Sequence, residues 1–203
     1  MKLRSLLAGA LVAFLAVPVV AQAQQGTPTR VRGTIETFKG KTLVVKSREG
    51  ADVTIALADN FTVRAMGRVR LSSIKKGDFV GIAATTGTDG KTHAQEVLVF
   101  PEAMRGTGEG QHPWDLTPGS TMTDATVGEI SKASKDRILH LQYKDGTTDI
   151  DVAPGTPTVT FKPGTPRLLK PGRAVVVFAS KGADGTFTSA TVAVQKGKVT
   201  PPM

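Results

Sequence analysis

Cysteine is absent from the 203 residues. That excludes disulfides, a thiolate nucleophile, cysteine-ligated metal and a lipid-modified cysteine at a cleavage site. Aromatic residues are few: one Trp, one Tyr and eight Phe. Single-stranded nucleic acid is read largely by aromatic stacking, so this scarcity argues against it. No Gly-x-Ser-x-Gly elbow and no phosphate-cradling glycine loop ahead of a helix occurs. Without an assembled acid, base and nucleophile, the sequence is read as non-enzymatic. Only one long apolar run exists, Leu6 to Val20. No other segment has the roughly 20 apolar residues that a membrane helix needs.

That run follows Lys2 and Arg4, contains Pro18 and ends before Ala21-Gln22-Ala23. A basic start, a short apolar stretch and a small-x-small site together mark a cleavable export signal. Residues 1–23 are therefore expected to be removed, leaving a periplasmic or secreted protein with no transmembrane span in its mature part. The whole chain carries a formal charge of +9, and the signal holds only two of its 26 basic residues. The other basic residues are scattered, which fits a solvated surface. A basic exported protein also suits anionic glycans, anionic lipid headgroups or an envelope protein as partners. Export lowers the case for nucleic acid further.

What is present reads as β-structure written twice. Gly33 and Ile35 are matched by Gly128 and Ile130, 95 positions later. Leu43, Val45 and Gly50 return as Leu139, Leu141 and Gly146 at 96, and Ile74 and Gly77 return as Leu169 and Gly172 at 95. Asp89-Gly90, Val97 and Val99 return as Asp184-Gly185, Val192 and Val194. An ordered series at near-constant offset implies two copies of one unit. Val53, Ile55 and Leu57 alternate with polar residues, as a half-buried strand does. Glu49-Gly50, Asp89-Gly90, Asp145-Gly146 and Asp184-Gly185 lie between such runs as hairpin turns. Strands this short bury enough surface only by curling into a small antiparallel barrel of five or six strands. The chain is thus expected to be all-β: a barrel over residues 24–100, a second over 124–195, and a frayed tail over 196–203. Ile74 and Leu169 are expected to plug one end of each barrel.

The order GTIETFKGKTLVVKSREGADVTIAL, then LSSIKKGDFVGIAA, then DGKTHAQEVLVF resembles the domain of unknown function 5666 of exported bacterial proteins. The resemblance covers Val31 to Phe100 and is looser from Ala125 to Gln195, where Arg173 follows the glycine in place of Asp. It implies two tandem barrels similar to oligonucleotide/oligosaccharide-binding (OB) folds. It implies no activity and no catalytic residues.

Residues 101–123 have no counterpart. They hold four glycines and three prolines, yet also Trp114, the only tryptophan. Such a large apolar ring favours burial, so the segment is expected to be an ordered strap packed on one or both barrels. Trp114, His112, Asp115 and Arg105 are the candidate ligand-binding residues. Glu102, Glu109, His112 and Asp115 form the alternative set, as carboxylate and imidazole ligands of a periplasmic metal carrier. Met104, Met122 and Asp124 lie nearby. No spacing in this set matches a known metal motif, and no cofactor is expected. Asp149 and Asp151 are read as a hydrated strand face, and His93 and His140 as surface residues. Phe79, Phe100 and Phe178 are placed in the core, leaving Phe38, Tyr143 and Trp114 free to stack. The function expected is non-catalytic binding or an accessory role in the envelope.

Overall fold

Twelve strands and three short 3-10 turns make up the computed structural model, which describes residues 26–133 and 136–201. The expected export signal and the last two residues of the tail lie outside these. The strands are β1 (Thr27–Lys39), β2 (Thr42–Ser47), β3 (Asp52–Arg68), β4 (Phe79–Thr86), β5 (Thr92–Val99) and β6 (Gly110–Pro113). They continue as β7 (Thr121–Ala133), β8 (Asp136–Tyr143), β9 (Gly146–Val152), β10 (Thr158–Pro163), β11 (Ala174–Lys181) and β12 (Phe187–Val194).

Local chemistry explains the hairpins. Gly50, Gly90 and Gly185 take φ of 90°, 75° and 81°, which a Cβ would resist. The Asp89 and Asp184 carboxylates each accept an N–H from two residues on, at Lys91 and Thr186. In the β8–β9 hairpin the loop is Lys144-Asp145, and Gly146 already pairs with Tyr143.

The pairings close one five-stranded barrel in the order β1-β2-β3-β12-β11 and back to β1. All contacts are antiparallel except β3 with β12. Its interior is one apolar cluster that includes Ile35, Leu43, Val45, Ile55, Leu169, Val175, Val177, Val192 and Val194. Burying each such side chain stabilises the fold by about 1.5–3 kcal/mol.

This barrel takes three strands from the start of the chain and two from the end. A unit closed within residues 24–100 is therefore not what forms. The hairpin β4–β5 turns away from β1–β3, and β4 pairs with β7 instead. β7, β8 and β9 follow in antiparallel order, and β9 returns to β5 at the parallel pair His93↔Asp151. These five strands surround a second cluster, with Ile74, Val80, Ile82, Val97, Val127, Leu139, Leu141, Ile150 and Val152. Every member lies between residues 74 and 152. The tandem division at 24–100 and 124–195 gives way to a contiguous middle and a barrel built from both ends.

A third apolar cluster joins the two groups: Met66, Val159, Phe161, Val176 and Ala193, flanked by Leu98, Phe100, Met104 and Val199. β10 links the groups directly, antiparallel to β3 and parallel to β5. The expected frayed tail is docked here. Lys196 bridges to Val199, Gln195 accepts the Ala174 N–H, and Pro201 is buried. Apolar contact and these backbone bonds offset the entropy of ordering it.

Candidate binding site

The outer faces of the two strand groups meet across a cavity of about 250 Å³. One wall comes from β5, β4, β7 and β6. In one row across these strands Glu96 pairs with Ala83, Ala83 with Met122, and Met122 with His112. In the next, Leu98 pairs with Gly81, Gly81 with Asp124, and Asp124 with Gly110. The small residues at β4 leave the room. A Cβ on Gly81 would run into Asp124 Oδ1 and lie 3.0 Å from Phe100 Cε2.

The opposite wall comes from the barrel. Arg32, Val176, Ala193 and Arg64 form one row across β1, β11, β12 and β3, and Arg30 pairs with Phe178 beside it. Met66 and Phe161 complete the lining from β3 and β10, with Pro201 from the tail. β11 reads Ala-Val-Val-Val-Phe-Ala because both of its faces have work: Val175 and Val177 fill the barrel, Val176 and Phe178 face outward.

The strap closes the site. Trp114 lies under the Arg30 guanidinium, 3.9 Å from ring centroid to Cζ, with Arg32 at 5.4 Å and the His112 ring at 5.9 Å. Asp115 Oδ1 accepts from Arg30 Nε and Arg32 Nη2, both at 2.9 Å. Arg48 donates to the Asp115 and Leu116 carbonyls. Gln95 and Thr117 tie the strap to β5. The indole N–H of Trp114 is buried and has no hydrogen-bond partner among the described residues. A buried donor left this way costs about 1–3 kcal/mol.

Two carboxyls on the first wall are buried and protonate easily. Burial pushes Glu96 up to about 8, against a smaller opposing pull from Arg32. Burial pushes Asp124 up to about 7. Burial, then the charge of Arg30, lowers His112. Its Nε2 stands 3.9 Å from Asp124 Oδ2. Burial alone would raise Asp115, but hydrogen bonds and charge from Arg32 and then Arg30 hold it below the usual carboxylate range. Burial lowers Arg64, whose guanidinium lies 5.3 Å from the Phe161 ring centroid.

Of the residues expected from sequence, Trp114 and His112 line the cavity and Asp115 braces them. Arg105 does not reach it. It is clamped at the surface by Glu102 and donates to the Gly77 carbonyl. Glu109 is exposed. The metal set Glu102, Glu109, His112 and Asp115 is thus dispersed, because Arg105 holds one carboxylate and Arg30 and Arg32 another. Among the described residues, no three His, Asp or Glu side chains gather where a metal would sit. Met104, Met122 and Asp124 do reach the cavity. Phe178 is not core but 38% exposed at the rim, while Phe38 and Tyr143 pack on the first and second clusters. Sequence reasoning missed Glu96, Arg30, Arg32, Arg64, Met66 and Phe161. The one local hint was Glu96 directly before the apolar run Val97 to Phe100.

Comparison with known proteins returns no matching family model, no matching curated protein and no matching solved structure.

Proposed function

We propose that this chain is an exported, non-catalytic binding protein whose ligand occupies the cavity under the strap. The observation that carries the reading is the cavity itself. It is lined mainly by apolar and aromatic side chains, with a few convergent polar groups and two carboxyls of raised pKa. Those are the marks of a small-molecule site. The lining residues include no nucleophile with a hydrogen-bonded base, which favours binding over catalysis.

The same reading treats the chain as a duplicated OB-like module whose copies exchange their final hairpins. Support comes from β11 lying on β1 as β4 lies on β7, and from the parallel closures β3–β12 and β5–β9. The resemblance to domain 5666 agrees with it.

Trp114 is the only tryptophan, so its fluorescence reports the site. Isolation of the protein from its native envelope without denaturant, followed by mass spectrometry of released small molecules, tests the reading. A stoichiometric compound whose re-addition shifts Trp114 emission is the expected result. Its release leaving Trp114 unchanged would place the ligand elsewhere.

A second reading, attachment to an anionic envelope polymer or lipid surface, draws on a separate groove of about 630 Å³. Arg68, Arg70, Arg137 and Lys198 line it, and no carboxylate does. Salt-sensitive retention on an acidic polymer, lost in Arg68→Glu/Arg70→Glu, checks it.

A further inference from the structure

We propose that the cavity takes a small anionic amphiphile: a carboxylate held by Arg64, carried on an apolar body that fills the space between the walls. This rests on the cavity being the ligand site.

The argument begins with donors. Three guanidiniums line the barrel wall, and Asp115 is shared between two of them, Arg30 and Arg32. Among the described residues Arg64 makes no salt bridge, although it is half-buried against Phe161. A partly desolvated guanidinium without a counter-ion is costly, and a carboxylate offsets that cost in a bidentate geometry. The cavity wall therefore carries in Arg64 a set of donors that the described residues leave without a counter-ion, and a ligand with a carboxylate fits it.

The charged groups around the space favour the same sign of ligand. Glu96 of β5 faces Arg32 of β1, and Asp124 of β7 faces His112 of β6. Arg30 and Arg64 complete the barrel side, and Asp115 neutralises one charge there. Burial keeps Glu96 largely protonated near neutral pH and brings Asp124 to about its midpoint there. When protonated they add hydrogen-bond donors rather than negative charge. The rest of the lining is apolar, with Met66, Leu98, Phe100, Phe161 and Phe178 among it. A volume of about 250 Å³ suits a molecule of about a dozen non-hydrogen atoms.

The sign of the pH dependence follows. An anion beside Glu96 and Asp124 raises their pKa further, so its binding takes up protons and tightens as pH falls from 8.5 to 6.5. A cation would do the reverse.

Three probes on one scaffold test this with the full chain: 4-phenylbutyrate, 4-phenylbutanamide and 4-phenylbutylamine, followed by Trp114 fluorescence and calorimetry. The carboxylate is expected to bind about tenfold more tightly than the amide at pH 6.5, with no detectable binding of the amine. Raising the pH to 8.5 is expected to weaken the carboxylate about tenfold. Arg64→Gln is expected to remove the preference for carboxylate over amide while leaving amide binding in place. The wild-type pH dependence stands without any variant, and Arg64→Lys keeps the charge should Arg64→Gln not fold. Preference for the amine or the amide, or affinity that rises with pH, overturns the anionic class and leaves the cavity as the site. Failure of all three probes to bind overturns both.

Discussion

Met66 and Phe161 face each other across the antiparallel pairing of β3 with β10, and both line the cavity. They are 95 positions apart, which is the spacing of the sequence matches between the two halves. Each residue thus stands opposite the position that those matches assign to it.

Phe161 is the larger member of this pair, and it also meets Phe100 at 6.3 Å between ring centroids. Phe161→Ala is expected to cost about 2–4 kcal/mol, since the third cluster cannot collapse around the void. Urea unfolding measures this. A loss under 1 kcal/mol would mean that the strand groups are held together elsewhere.

Glu96 sets a pH dependence of stability. The folded protein holds its proton up to about pH 8, whereas the unfolded chain releases it near the ordinary carboxyl value of 4.5. Between those values the folded state binds more protons, so the contribution of Glu96 is full below pH 4.5 and is lost as pH rises toward 8. Glu96→Gln cannot ionise. Relative to wild type it is expected to gain up to about 1 kcal/mol per pH unit across that window and level off above it. A stability difference that does not change with pH would refute the burial argument.

Gly81 makes room for the site. In Gly81→Val the new side chain meets Asp124 and Phe100 on a central strand. A loss of about 1–3 kcal/mol is expected, with loss of any ligand-induced change in Trp114 emission. Unchanged ligand response in a folded Gly81→Val protein would move the site away from β4.

A barrel built from both ends of the chain has a direct consequence for fragments. Residues 24–100 lack β11 and β12, so they leave β1–β3 as an open sheet with bare edges. Residues 70–153 keep every member of the second cluster. The first fragment is expected to give poorly dispersed amide NMR signals and the second dispersed ones. A folded 24–100 fragment would show that the barrel closes within one half.

The hairpin strands were legible because their cues are local, whereas β6 and β10 carry no such turn and were not expected. Val53, Ile55 and Leu57 alternate, and Asp89-Gly90 and Asp184-Gly185 turn the chain where they stand. Trp114 was legible as an ordered residue because its surface favours burial. The cavity was not, because each wall is a row of residues far apart in sequence: Arg32, Val176, Ala193 and Arg64 on one side, Glu96, Ala83, Met122 and His112 on the other. Phe178 was misplaced for the same reason. Its run is apolar on both faces, and alternation alone does not tell an inner from an outer position there.

The amino-acid sequence by itself determined that this chain forms strands paired in hairpins, and where those hairpins turn. Only the tertiary structure decided which hairpin closes which group of strands. β4–β5 and β11–β12 carry the same apolar pattern and the same Asp-Gly turn, so each presents a matching edge to either set of partners. Hairpin formation depends on neighbours in the chain, whereas barrel closure depends on edges brought together from a distance.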